Sequence, residues 1–277
     1  LGHSKCGAIG ATVGGGQVHG CIGSIVAEIK SGIGKETESN AAENLNIIHQ
    51  VRKIRDNLII SKAIKNGKVK VLGGKYDIVS GEVKFIDMLP MNPSEAEEQL
   101  ILKNKEYIQQ CQNSSILNNS IRLDLKEKGQ HPYALIVSCA DSRVPIEHIF
   151  NAGLGELFVI RNAGNVVGDF EMGSIEYGVH HLGVKIVVVL GHSKCGAIGA
   201  TVGGGQVHGC IGSIVAEIKS GIGKETESNA AENLNIIHQV RKIRDNLIIS
   251  KAIKNGKVKV LGGKYDIVSG KIDFILE

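Results

Sequence analysis

Cys139, Asp141 and Arg143 stand in one short run, Cys-Ala-Asp-Ser-Arg, and His192 and Cys195 stand in another, His-Ser-Lys-Cys. Two thiols and an imidazole make a zinc-ligand set, with sulfur at about 2.3 Å and nitrogen at about 2.0 Å from the ion. Three protein ligands leave a fourth position open, which marks a catalytic rather than a structural site. Two thiolates also cancel the charge of the ion, so such a centre acidifies water less than a three-histidine one and needs help. Asp141 is placed to give it, by accepting a hydrogen bond from the attacking oxygen and aiming a lone pair at the substrate. Arg143 can clasp that carboxylate in a bidentate, charge-assisted bond that keeps it ionised and off the metal. Without Arg143, Asp141 would be free to swing in as a fourth ligand and close the site.

Cys139 and His192, 192 − 139 = 53 positions apart in sequence, need a scaffold to meet. Tyr133-Ala-Leu-Ile-Val-Ser-Cys139 is a short continuous apolar run, the pattern of a strand buried on both faces. Glu156–Arg161, Val184–Leu190 and Lys257–Leu261 repeat it, and Tyr265–Gly270 with Ile272–Ile275 reads as a turn and a last edge strand. Helical patterns lie between them. Pro93 and Ser94 open a charged helical stretch reaching about Lys128, with Ser94 and Glu97 spaced as a capping box. Met172–Leu182 and Ala230–Ile253 follow, the latter with Ile236, Val240, Ile243 and Leu247 on one face. Strands alternating with helices predict an α/β fold, a mostly parallel sheet flanked by helices with an antiparallel edge strand near the C-terminus. In such sheets ligands gather at the carboxyl ends of strands, where both short motifs fall.

Residues Leu1–Gly81 recur letter for letter as Leu190–Gly270. Only the second copy is preceded by Cys-Ala-Asp-Ser-Arg, so the chain reads as residues 1–88, an incomplete half-unit, and residues 89–277, a complete one. His3 and Cys6 form an orphan half-site. Leu190–Glu277 is expected to pair with Pro93–Val189, because an unbroken strand joins them. Leu1–Phe85 is then left over with an exposed sheet edge, and should not fold alone. It is open to pairing, swapping or poor order. Asp87–Pro93, with two prolines, is the expected linker.

Cys139-Ala-Asp-Ser-Arg143, Arg161-Asn-Ala-Gly-Asn165, Ser174-Ile-Glu-Tyr177 and Gly191-His-Ser-Lys-Cys195-Gly196 together resemble the β-class carbonic anhydrases. The resemblance covers nearly all of residues 89–277. It implies a zinc lyase that hydrates carbon dioxide to bicarbonate, with Cys139, His192 and Cys195 on the metal, Asp141 and Arg143 beside it, and a dimer as the smallest active unit. It also implies a carbon dioxide pocket near the dimer interface lined by Gln130, Phe158 and Tyr177, with the Gly196 backbone N–H as oxyanion donor. Core packing is an equal reading for Phe158. The position of Gln130 is similar to that in the plant-type, open-site branch, and the chain has no Trp of the kind the bicarbonate-inhibited branch uses. A homo-oligomer, or a tandem pseudo-dimer in a longer parent, is the expected assembly.

Composition narrows the rest. A net charge of +4 with Lys and Arg interleaved among Asp and Glu gives no basic stripe, so nucleic acid is not an expected partner. No apolar run is long enough to span a membrane. Six cysteines, four of them two positions counted twice, read as reduced thiols rather than a disulfide scaffold, which favours a reducing compartment. The chain opens without Met, so any targeting peptide would lie upstream. Gly203-Gly-Gly205 reads as a flexible loop, since Gly223-Lys224 is followed by Glu225 and lacks the hydroxyl of a phosphate loop. Cys210 reads as a small buried hydrophobe, and His148, His180, His181 and His208 include candidate proton shuttles. Three other functions remain open: a carbon disulfide-type hydrolase on the same ligands, a non-catalytic zinc or interaction module, and a thiol redox protein. The last is disfavoured by the lack of a Cys-x-x-Cys pair.

Overall fold

A computed structural model describes residues 1–15, 22–66, 68–86, 92–109 and 119–275. The chain divides into two compact units, Leu1–Met88 and Leu89–Glu277. Most of the expected linker at 87–93 and the middle of the expected 94–128 helical stretch lie outside the described residues.

The first unit contains β1 (Gly2–His3), α1 (Gly7–Val13), α2 (Ile22–Ile33), α3 (Ser39–Asp56), α4 (Leu58–Lys65), β2 (Gly73–Tyr76) and β3 (Val83–Ile86). Its sheet has the order β1-β2-β3, with β1 and β2 parallel and β3 antiparallel. Ile9, Ile29, Ile33 and Ala42 form its small core.

The second unit runs α5 (Pro93–Ile108), α6 (Asn119–Lys128), β4 (Ala134–Cys139), α7 (Ile146–Ile149), β5 (Leu157–Asn162), α8 (Asp169–Tyr177), β6 (Ile186–His192), α9 (Gly196–Val202), α10 (Ile211–Ile222), α11 (Ser228–Asp245), α12 (Leu247–Lys254), β7 (Lys259–Tyr265) and β8 (Ile272–Ile275). Its sheet has the order β5-β4-β6-β7-β8, parallel except for the last pair. Every residue of β4 and β6 is buried, which is why both read as unbroken apolar runs. One core layer joins Leu100, Ile136, Ile149, Phe150, Val188 and Leu261, and the opposite layer joins Leu135, Val137, Val187, Ile236 and Val240. Each such side chain contributes about 1.5–3 kcal/mol by leaving water.

Local chemistry shifts several boundaries. Asn92 rather than Ser94 caps α5, accepting the Glu95 N–H at 3.0 Å with Pro93 in the first turn. Glu97 is thereby free to pair with Lys259 at 2.6 Å. The expected Ala230–Ile253 helix is broken at Asn246, whose side chain accepts the N–H groups of Ile248 and Ile249 and starts α12. That break turns Leu247 out to solvent, away from the buried face of Ile236, Val240 and Ile243. No helix among the described residues is long and apolar enough to cross a membrane.

Candidate metal centre

The chain leaves β4 first toward β5, on one side, and then crosses to β6 on the other. The crevice at the carboxyl ends of β4 and β6 is therefore the switch point of the sheet. Cys139 ends β4 and His192 ends β6. Cys195 is the N-cap of α9, three residues on, reached through Lys194 with a left-handed φ of 56°. The donor atoms of Cys139, His192 and Cys195 all lie within 4.8 Å of one another, and all three residues are buried. The two sulfurs are 4.0 Å apart.

The donors fit a metal ion. The His192 Nδ1–H donates to the Ser193 carbonyl at 3.0 Å, a bond that fixes the tautomer and leaves a lone pair on Nε2. That Nε2 is buried and has no hydrogen-bond partner. An orphaned buried nitrogen facing two sulfurs is costly unless something electrophilic sits between them. The Cys139 thiol is pushed down to about 4, chiefly by the hydrogen bond from Cys195 and, against the effect of burial, by His192 and the Gly164 N–H. Cys195 is pushed the other way, up, first by that same hydrogen bond with Cys139 and then by burial.

Asp141 and Arg143 meet as their spacing predicts. Arg143 donates Nε to Asp141 Oδ1 at 2.9 Å and Nη2 to Oδ2 at 2.7 Å, and its backbone N–H adds a third bond at 2.9 Å. This clasp holds the Asp141 carboxyl well below the usual carboxylate range. Arg143 also reaches the Lys194 carbonyl at 3.1 Å, tying the two ligand loops together. Asp141 Oδ2 stands 3.8 Å from His192 Nε2, close to the metal position yet held by the guanidinium.

Arg161 and Gly164 stand in a motif quoted above without a role, and Glu232, Asn235 and Gln239 escaped the sequence reading; the structure gives each of them a contact at the centre. Arg161, at the end of edge strand β5, donates to the carbonyls of Cys139 at 3.1 Å and Asp141 at 2.8 Å. Gly164 turns with φ 78° and points its N–H at Cys139 Sγ, 3.3 Å away. A Cβ there would meet Ile218 at 2.9 Å. Glu232, buried on α11, accepts the Cys195 N–H at 3.2 Å and pairs with Lys264 at 2.6 Å. Asn235 holds the Gly164 carbonyl and Gln239 the Val167 N–H, both at 2.9 Å. The available signal was a row of polar residues, 232, 235 and 239, on the apolar side of a helix.

The expected pocket residues do not all gather at this point. Phe158 and Tyr177 are neighbours, with ring centroids 6.2 Å apart. Phe158 pairs in register with Leu135, however, whereas Cys139 pairs with Asn162. Four residues of strand put Phe158 about 13 Å from the metal end. Gln130 is exposed on the segment entering β4, at the far end of that strand from Cys139. Gly196 is at the right end, opening α9. Cys210, expected to be buried, is exposed, and among the described residues of the first unit His3 and Cys6 have no second cysteine beside them.

A doubly wound parallel sheet with a two-cysteine, one-histidine centre at its switch point and an Asp–Arg pair beside it defines a class of metalloenzyme. The family model described as carbonic anhydrase matches residues 1–83 and 134–272. The chain belongs to the carbonic anhydrase family, and its fold is that of the β class. Carbonic anhydrase 2 of Mycobacterium tuberculosis is 35% identical over 157 residues, covering 52% of this chain and 74% of that protein. The carbonic anhydrase of Pseudomonas aeruginosa is 35% identical over 161 residues, 52% of this chain and 73% of its own length. The Coccomyxa β-carbonic anhydrase, solved with acetazolamide, superposes with a TM-score of 0.52 at 27% identity, covering 64% of this chain and 85% of the other. A tetrameric β-carbonic anhydrase of Sordaria macrospora gives 0.51 at 27% identity, covering 57% and 87%.

Proposed function

We propose that Leu89–Glu277 is a zinc carbonic anhydrase, catalysing CO2 + H2O ⇌ HCO3⁻ + H⁺. The single observation that carries the reading is the buried triad of donors with its unpartnered His192 nitrogen. In this proposal Cys139, His192 and Cys195 hold the zinc, which when bound supplies a Lewis acid that lowers the pKa of water.

The remaining chemistry belongs to the chain. Asp141 is kept ionised by Arg143, so it acts as a hydrogen-bond acceptor that orients the attacking oxygen. Because both carboxylate oxygens are engaged by the guanidinium, Asp141 is held out of the ligand cluster. That arrangement supports the open-site, plant-type branch. The Gly196 N–H, at the start of α9, is the donor to the oxygen that gains charge as bicarbonate forms.

Gln130, Phe158 and Tyr177 line the carbon dioxide pocket in this reading, but they serve the site of a second molecule. The roughly 13 Å of strand between Phe158 and Cys139 favours a role in a neighbouring molecule's site over a same-chain one, and Tyr177 is half exposed beside edge strand β5. The active species is thus a homodimer or a larger assembly. The exact sequence repeat supports a parent built of tandem units, with residues 1–88 the second half of a preceding one.

Stopped-flow hydration assays on the metal-loaded chain test this directly, with carbon disulfide run in parallel. Carbon dioxide turnover that disappears in Cys139→Ser together with bound zinc is the expected result. Turnover of carbon disulfide alone, or zinc binding without turnover, would defeat it.

A further inference from the structure

The polar row on α11 does not stop at Gln239. One turn further on, Lys242 donates Nζ to Glu217 of α10 at 2.7 Å. The same Oε1 of Glu217 accepts Gln239 Nε2 at 3.2 Å, and His238 Nε2 lies 3.3 Å from it. The two helices meet closely at this point, since a Cβ on Gly221 would lie 2.7 Å from the His238 Cβ. Glu217 is partly exposed, whereas Gln239 and Asn235 are fully buried. A carboxylate that water can reach is thus joined to two amides that water cannot.

A carboxamide has two orientations related by a flip, and its partners decide between them. Against burial, the bonds from Lys242 and Gln239 keep the Glu217 carboxyl below the usual glutamate value. An ionised carboxylate only accepts, so the Gln239 NH2 must face it. The Gln239 oxygen is thereby turned to Val167, whose N–H it accepts at 2.9 Å. The same NH2 also points at Asn235 Oδ1, 3.5 Å away, which leaves the Asn235 NH2 for the Gly164 carbonyl at 2.9 Å.

Each end of the 164–167 loop is therefore held by one of these amides. The loop needs holding, because Gly164 (φ 78°) and Asn165 (φ 46°) are consecutive left-handed residues and the second carries a side chain. At its start the Gly164 N–H donates to Cys139 Sγ at 3.3 Å. Ile218, next to Glu217 on α10, is fully buried against the same turn.

We infer that Glu217 is a positioning residue for the metal centre: it sets the orientation of Gln239 and Asn235, and through them the turn that presents the Gly164 N–H to Cys139. Partners of a metal ligand fix its direction and tune how strongly it binds. This inference rests on the zinc reading of Cys139, His192 and Cys195.

The test compares the full chain with its Glu217→Ala and Glu217→Gln variants. Three properties are measured: zinc affinity by competition, the thiolate absorption of the cobalt-substituted protein, and hydrogen exchange of the Gly164 and Val167 amides. Glu217→Ala should bind zinc about tenfold more weakly, shift the cobalt absorption and exchange both amides faster. Glu217→Gln keeps an oxygen for Lys242 and Gln239 to approach, so it should recover most of each property. Ile243→Val trims the core under α11 instead, and should leave zinc affinity and the cobalt spectrum as in the parent. Parental affinity and spectrum in Glu217→Ala overturn the inference while leaving the zinc reading standing. So does a loss of affinity with Val167 exchange unchanged, or one that Ile243→Val equals. A parent chain that takes up neither zinc nor cobalt removes the zinc reading and this inference with it.

Discussion

Glu232 accepts the backbone N–H of Cys195 at 3.2 Å, so a carboxylate buried on α11 positions a thiol ligand that itself never touches the helix side chain. Lys264 neutralises that carboxylate from β7 and also bonds Asn229. Replacing Glu232 by Ala leaves an N–H and an ammonium uncompensated. The loss of stability should fall at the lower end of roughly 3–5 kcal/mol, because Lys264 keeps Asn229. Urea titration measures it, and Glu232→Gln, which still accepts the N–H, should recover part of zinc affinity. Equal zinc affinity in all three proteins would refute the positioning role.

Removing the Asp141 carboxylate should lower kcat/KM by on the order of 10²–10³ with zinc retained. Arg143→Ala should be as damaging for a different reason, since the freed carboxylate moves onto the metal. In the cobalt-substituted protein its spectrum should change from that of the parent, and Asp141→Asn in the same chain should restore it. An unchanged spectrum in Arg143→Ala would contradict the restraint assigned to the guanidinium.

Gly164→Ala places a side chain on a residue with φ 78° and drives it against Ile218. The expected cost is about 1–3 kcal/mol. Zinc should also bind more weakly, because the N–H that faces Cys139 Sγ shifts. Thermal unfolding and metal competition read the two effects separately. A neutral substitution would show that the turn is softer than its contacts imply.

Asp266 gives a pH prediction with a definite sign. The Ser269 backbone N–H and hydroxyl, with help from Ser193, hold its carboxyl below the usual aspartate value. A depressed native pKa adds stability above the ordinary value of about 3.9 and loses it as pH falls toward the native one. Asp266→Asn should therefore be less stable than the parent at neutral pH, with the gap narrowing in acid. A gap that stays constant down to pH values of about 2.5 would show that ionisation is not the source.

The buried strands were legible because burial on both faces leaves an uninterrupted apolar run, as at Leu135–Val137 and Val187–Val189. Strand β7 was cut short at Leu261 because Gly262-Gly263 resembles a turn. Gly262 instead lets α11 approach, since a Cβ there would lie 2.7 Å from Ile236. Asn246 was read through as helix because a cap inside a periodic stretch leaves the period almost intact. The meeting of Cys139 with His192 and Cys195, and of Asp141 with Arg143, was readable, since these residues fall at or just beyond strand ends. Glu232 was not, because a carboxylate on a helix ordinarily faces water and its partners lie far away in sequence. Gln130 and Phe158 were matched by motif, which carries no information about which end of a strand they occupy.

Arg161 sits on the one outer strand of the parallel sheet and grips the carbonyls of Cys139 and Asp141. The rim of the molecule is thereby wired to the reaction centre through a single guanidinium. A displacement of that margin would be felt at the loop carrying Cys139 and Asp141, because this side chain holds two of its carbonyls.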